Sequence, residues 1–163
     1  MKDVSGKEVS LADVKKEKGL LVIFSCNTCP YVKLSESRIK EVTAEAAKNN
    51  IGVIIINSNE AQRSEEDSFD AMKEYAKTQG FTFSYVVDKN SEVADAFGAT
   101  RTPHIFLFDK KGLVYRGAKD EKLKDPAAAK EHYLKDAINA VAKGSEIKTN
   151  STKSVGCGIK RLS

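Results

Sequence analysis

The sequence contains no tryptophan, few aromatic residues (7%), and only three cysteines and three prolines in 163 residues. Three cysteines are too few for a disulfide scaffold, and a chain of this length buries a core without one. No apolar run approaches the roughly 20 residues that a membrane-spanning helix requires. With 40% hydrophobic and 31% charged residues, the composition predicts an ordinary globular domain without an integral membrane segment.

The excess of positive charge is confined to the end of the chain. Of the net charge of +4, the whole excess lies in residues 143–163, which hold five Lys or Arg and one Glu, whereas residues 1–142 are balanced. A nucleic-acid-binding protein would concentrate basic residues on a folded face, so no nucleic-acid partner is predicted. We expect a domain over residues 1–143 and a solvated basic tail over residues 144–163 that carries Cys157.

The sequence is compatible with two cellular compartments. No leader with an apolar centre precedes the domain, and Lys2 already lies close to the first predicted strand. Such an abrupt start would fit a trimmed leader and the bacterial periplasm, and the cytoplasm is the alternative.

Apolar periodicity predicts alternating strands and helices. A turn at Ser5-Gly6-Lys7 indicates an N-terminal hairpin within Val4–Val9. The predicted strands are 20–24, 51–57, 81–87, 104–108 and 113–116, and the predicted helices are 30–49, 64–79, 91–97 and one from Asp125-Pro126 to about Lys143. This order predicts a layered α/β domain with a mostly parallel sheet and a late antiparallel hairpin.

The segment FSCNTCPYVK places two cysteines at a strand-to-helix junction. Backbone N–H groups and the helix dipole favour a negative sulfur there, so we expect Cys26 to be an exposed nucleophile with a lowered pKa. Cys29, three residues later, would lie within disulfide reach one turn inside the helix. This predicts a redox-active Cys26–Cys29 dithiol/disulfide.

Other uses of the pair are less favoured. A structural zinc site needs four ligands. The chain has no second cysteine pair, and Cys157 with His104 or His132 would be a poor substitute for one. A structural disulfide across so short a loop gains little entropy. We therefore predict no metal and no cofactor.

Longer motifs resemble a known family: NTCPYVK, GVIIINSNE, GATRTPHIFLFDKKGLVYRG and the terminal GCGIK. Together they are similar to the redoxin, or AhpC/TSA-like, proteins of the thioredoxin superfamily. The resemblance implies a thioredoxin-like three-layer α/β/α sandwich with a mixed sheet and a thiol–disulfide oxidoreductase activity in redox homeostasis. It also implies a cis Thr102–Pro103 bond packed against the cysteine pair, with the Thr102 backbone free for an extended substrate.

Four residues are auxiliary candidates. Arg101 could bind an anionic substrate or be solvated, and His104 could tune the thiolate or cap a strand. Glu60 could face the site from an adjacent loop. Cys157 could pack under the last helix, bond another chain or act as a third redox thiol.

The chain departs from thioredoxin in two ways that bear on mechanism. Ser25 precedes the first cysteine in place of tryptophan, and Leu20 to Phe24 contains no carboxylate. Proton transfer at Cys29 would then need water or another group.

Two other functions remain as alternatives. A peroxiredoxin-like thiol peroxidase would act as an antioxidant, but Ile23 stands where a threonine would precede the attacking cysteine. A thioredoxin-fold copper carrier would use the cysteines with His104 or His132. The expected partners are protein or small-molecule disulfides and thiols and an unidentified redox partner; the sequence does not indicate the oligomeric state.

Overall fold

The computed structural model describes residues 1–117, 133–145, 147, 151 and 156–162. Its strands are β1 Lys2–Asp3, β2 Gly19–Ser25, β3 Ile51–Asn57, β4 Ser84–Val87, β5 Arg101–Thr102, β6 His104–Phe108, β7 Leu113–Gly117 and β8 Cys157–Gly158. Its helices are α1 Leu11–Val14, α2 Pro30–Lys48, α3 Phe69–Gln79, α4 Glu92–Phe97 and α5 Tyr133–Lys143.

The main sheet has six strands in the order β1-β4-β3-β2-β6-β7, and β5 pairs with β8 in a separate two-stranded sheet. The three central strands β2, β3 and β4 run parallel, whereas β1, β6 and β7 pair antiparallel with their neighbours. The predicted mixed sheet is therefore confirmed. Because β2 and β3 are buried along their whole length, their sequences are continuous apolar runs rather than alternating ones.

Side chains alternate between the two faces of the sheet and form one apolar cluster on each. Leu21 and Ile23 of β2 point to the face covered by α2, α3 and α5. Val22 and Phe24 point to the opposite face, covered by α1 and α4. The protein is thus a three-layer α/β/α sandwich, as predicted.

Several predicted elements differ in extent. Helix α3 begins at Phe69 rather than at residue 64, because the Ser68 hydroxyl caps it by accepting a hydrogen bond from the Ala71 N–H at 3.1 Å. The N-terminal hairpin is reduced to a single bridge between Lys2 and Glu8, and β1 pairs with β4 instead. The predicted helix start at Asp125-Pro126 lies outside the described residues.

Part of the terminal segment packs on the domain, whereas Lys160 and Leu162 are exposed. Ile159 is 8% exposed and packs into the cluster that also contains Phe24. The Arg161 Nε donates to Asp95 Oδ1 at 2.8 Å. An apolar side chain inside a basic segment therefore brings the segment onto the domain. The division at residue 143 stays a prediction.

The helices that the structure describes include none with the length and apolar character needed to cross a membrane.

Candidate active site: the three-cysteine centre

The cysteine pair lies where β2 leads into α2. Cys26 directly follows the strand, Cys29 is the N-cap residue of α2, and Pro30 occupies the first helical turn. Proline suits that position because its fixed φ fits a helix and the missing N–H has no helical partner. Cys26 therefore lies at the strand-to-helix junction, and Cys29 caps the helix rather than lying one turn inside it.

The disulfide in the structure joins Cys29 to Cys157, with their Cα atoms 6.3 Å apart, and leaves Cys26 as the free cysteine. The predicted Cys26–Cys29 bridge is thus not the one present. The two bonded cysteines are 128 residues apart. The pairing of β8 with β5 brings them together, and sequence reasoning did not predict that pairing.

Thr102 contacts both sulfurs of the pair. Its Oγ1 lies 3.8 Å from Cys26 Sγ, and its carbonyl oxygen lies 3.4 Å from Cys29 Sγ. In the disulfide Cys29 carries no proton, whereas a reduced Cys29 thiol can donate to that carbonyl. The Thr102–Pro103 peptide bond is cis, as the resemblance implied.

Cys26 is neither exposed nor easily ionised. It is 2% exposed, and this burial, together with the negative charge of Asp67, raises the pKa of its thiol. Hydrogen bonds from the N–H groups of Cys29 and Thr28 and from the Thr102 hydroxyl oppose that rise without cancelling it. The predicted lowering of the pKa is wrong because desolvation outweighs the N–H groups near the helix start.

A buried polar network lies behind the cysteine pair and centres on Asp67, which has no exposed surface. Asp67 Oδ1 accepts from the backbone N–H of Asn27 at 2.9 Å and from Asn57 Nδ2 at 2.9 Å. Its Oδ2 accepts from Asn59 Nδ2 at 3.1 Å. The network therefore holds the residue next to Cys26 by its backbone.

Tyr85 closes the same network. Its hydroxyl donates to Asn27 Oδ1 at 2.7 Å and accepts from Asn57 Nδ2 at 3.0 Å. Sequence reasoning missed this group. The available signal was the polar segment Asn57-Ser58-Asn59 at the carboxyl end of a buried parallel strand, where α/β proteins commonly place their sites.

Glu60 does not join the cysteines in this structure. Its Oε2 pairs with Arg63 Nε at 3.1 Å, and its Oε1 accepts from the Asn90 N–H at 2.8 Å. Arg63 in turn donates to the backbone carbonyls of Asp67 at 2.7 Å and Asn57 at 2.8 Å. Glu60 thus acts on the site only indirectly, by holding the arginine that braces the network.

His104 has the contacts of a strand cap. Its Nδ1 accepts from the Thr100 N–H at 3.2 Å, and its ring stacks at a tilt on Phe106 with centroids 4.8 Å apart. Burial, helped by the positive charge of Arg116, lowers the pKa of His104 to about 4, so the imidazole is neutral at pH 7. Arg101 is exposed and lies opposite Gly158 in the β5–β8 pair.

Over the described ranges, no three His, Cys, Asp or Glu side chains are grouped so as to hold a metal ion. His132 lies outside those ranges.

The fold and the cysteine centre define a thioredoxin-like protein. A family model described as the AhpC/TSA family matches residues 1–116, and the chain belongs to that family. The curated relatives include the thiol-disulfide oxidoreductase ResA of Geobacillus thermodenitrificans, 26% identical over 114 residues, which are 70% of this chain and 61% of ResA. The chain therefore spans about three fifths of the length of that relative.

Two solved structures match nearly the whole chain. An uncharacterized conserved protein from Geobacillus kaustophilus is 31% identical with a TM-score of 0.92, and the match covers 99% of this chain and 87% of that one. A hypothetical protein from Sinorhizobium meliloti is 34% identical with a TM-score of 0.88, covering 99% and 89%. A thioredoxin-like protein in its oxidized form, at 23% identity and a TM-score of 0.66 over 86% of this chain and 88% of that one, supports the fold.

Proposed function

We propose that the protein is a thiol–disulfide oxidoreductase whose reactive groups are Cys26 and Cys29. One observation carries the proposal: both sulfurs lie against Thr102, and one of them forms a disulfide with a third cysteine. The likeness to ResA, a thiol-disulfide oxidoreductase by name, supports the same chemistry. The substrates would be protein or small-molecule disulfides, or dithiols in the reverse direction.

The reaction begins with the protein fully reduced. The Cys26 thiolate attacks one sulfur of a substrate disulfide, which forms a mixed disulfide and releases the other substrate sulfur as a thiolate that takes up a proton. The Cys29 thiolate then attacks Cys26 Sγ, which forms the Cys26–Cys29 disulfide and releases the second substrate thiol. The substrate gains two electrons and the protein dithiol loses them.

Some groups around Cys26 favour the thiolate that the first step needs, and others favour the neutral thiol. The Cys29 N–H lies 3.3 Å from Cys26 Sγ, and both it and the Thr102 hydroxyl stabilise the thiolate. Burial and the charge of Asp67 favour the neutral thiol and raise its pKa. Since the thiolate is the nucleophile, the attack rate should rise with pH through that raised pKa.

Trapping the mixed disulfide tests this assignment. A reduced Cys29→Ser variant given a disulfide substrate should accumulate a mixed disulfide at Cys26, because the resolving thiol is absent, and peptide mass mapping locates it. A Cys26→Ser,Cys29→Ser double variant is the control for capture by Cys157. If Cys29→Ser captures no substrate through Cys26 while the wild-type protein turns over, the assignment of roles is wrong.

Peroxide reduction is a second candidate, and membership of the AhpC/TSA family favours it. Two features of the site oppose it: Ile23 occupies the threonine position, and Cys26 is buried with a raised pKa. Peroxide consumption with a thiol donor, well above the rate of free thiols and abolished by Cys26→Ser, would reverse this ranking.

A further inference from the structure

We propose that the segment around β8 is an internal substrate, so that Cys157 is a third redox-active cysteine that exchanges its disulfide with the Cys26–Cys29 pair. This inference rests on the proposed oxidoreductase function and adds to it a disulfide partner within the same chain.

The register places Cys157 at the reacting sulfur. Strand β8 runs antiparallel to β5, with Cys157 opposite Thr102 and Gly158 opposite Arg101. The Ile159 N–H extends the pairing by donating to the Thr100 carbonyl at 3.0 Å. The segment thus binds as an added strand, through main-chain hydrogen bonds that a segment of another sequence can reproduce.

Strands β5 and β8 lie close together, which restricts the size of the residues next to Cys157. A Cβ at position 156 would collide with the Thr102 carbonyl oxygen, so only glycine fits directly before the cysteine. A Cβ at position 158 would meet nothing closer than the end of the Arg101 side chain at 3.6 Å, which is ordinary contact. The requirement for glycine is therefore stringent on one side of Cys157 and weak on the other.

Noncovalent contacts also hold the segment beyond the cysteine. The Lys160 N–H donates to Asn59 Oδ1 at 3.0 Å, its carbonyl accepts from the Ala61 N–H at 2.9 Å, and Ile159 is buried. Arg161 Nη2 donates to the Ala99 carbonyl at 2.6 Å. Because these contacts do not depend on the disulfide, the thiol of Cys157 stays close to the site after the bond breaks, and the exchange is reversible.

The exchange needs no outside oxidant or reductant. Cys26 loses its proton, and its thiolate attacks Cys29 Sγ, which forms the Cys26–Cys29 bond and breaks the Cys29–Cys157 bond. Cys157 leaves as a thiolate and takes up a proton. One disulfide replaces another, so the protein keeps its oxidation state while β8 loses its covalent link to the site.

A matched pair of glycine variants tests the proposal on the oxidised full-length protein without any added substrate. After an acid quench and alkylation, peptide mass mapping gives the ratio of Cys26–Cys29 to Cys29–Cys157 disulfide. Gly156→Ala should raise that ratio at least about tenfold, equivalent to about 1.4 kcal/mol. Gly158→Ala should stay within about twofold of the wild type.

A Cys157→Ser variant separates exchange from misfolding, since it alters no backbone contact and should hold only the Cys26–Cys29 disulfide after oxidation. The proposal fails if Gly156→Ala and Gly158→Ala give the same ratio, or if Cys26–Cys29 never forms in Cys157→Ser. The oxidoreductase assignment would instead be refuted if the Cys29→Ser variant traps no mixed disulfide at Cys26. The comparison of Gly156→Ala with Gly158→Ala tests the exchange alone, because it needs no substrate, whereas a missing Cys26–Cys29 disulfide in Cys157→Ser would refute both the exchange and the oxidoreductase reaction.

Discussion

Replacing Asp67 by asparagine should lower the free energy of unfolding and make the Cys26 thiol easier to ionise. The carboxylate is fully buried and accepts two hydrogen bonds at Oδ1 and one, from Asn59 Nδ2, at Oδ2. An asparagine keeps one oxygen but must place its NH₂ group against that of Asn59, donor to donor. Losing one bond to a charged acceptor and leaving a buried donor unpaired should cost about 3 kcal/mol of unfolding free energy.

The same change should make Cys26 easier to ionise. Removing the negative charge of Asp67 removes one of the two causes that raise the pKa of Cys26. Burial, the larger cause, remains, so the pKa should fall towards its ordinary value. The chemical shift of the Cys26 ¹³Cβ against pH measures this in the oxidised protein, where the other two cysteines are in a disulfide and do not titrate.

Asp88 offers a matched control. It is also buried and accepts from the Ser58 hydroxyl at 2.7 Å and from two backbone N–H groups at the start of α4. Asp88→Asn should lower the unfolding free energy by a comparable amount and leave the pKa of Cys26 where it is. The reasoning is refuted if Asp67→Asn leaves that pKa unchanged or raises it, or if both variants move it equally.

Two further predictions concern buried groups near the site. The folded-state pKa of His104, about 4, lies below the unfolded value of about 6.5, so its contribution to stability is present above about pH 6.5 and is lost as pH falls through about 4. Denaturant unfolding between pH 7 and pH 4 should show this dependence, and His104→Gln should flatten it; an equal slope in the variant would contradict the claim. Tyr85→Phe should cost about 1–3 kcal/mol in urea unfolding, because two buried amide groups lose their partner. Tyr75→Phe, which removes a half-buried bond to Glu36, should cost about 1 kcal/mol or less, and equal losses would argue against the network.

Local signals were enough to predict most of the fold. The apolar run Leu20 to Phe24 and the run 51–57 identified the central strands, since strands covered on both faces need no polar alternation. Gly80 and Gly98 directly follow the predicted helices 64–79 and 91–97, and each adopts the left-handed conformation that ends a helix. Cys26 and Cys29 at a strand-to-helix junction, together with Thr102-Pro103, indicated the candidate site because they form motifs readable within a few residues.

What the sequence did not reveal depends on contacts between distant segments. The network around Asp67 joins residues from the segments after β2 and β3 with a tyrosine of β4, and no local pattern marks them as partners. The same holds for the pairing of Cys157 with Cys29 across 128 residues. The raised pKa of Cys26 follows from burial, which depends on the whole fold, whereas the predicted lowering considered only the nearby helix.

The bridge between Cys29 and Cys157 also encloses most of the polypeptide in one covalent ring, because the two residues are 128 positions apart. On a chain-entropy account, a ring of that size restricts the unfolded chain enough to stabilise the native state by about 5 kcal/mol. Opening the ring by reduction or by internal exchange would therefore weaken the domain as a whole. The melting temperature should therefore be higher when the Cys29–Cys157 disulfide is present than when it is open.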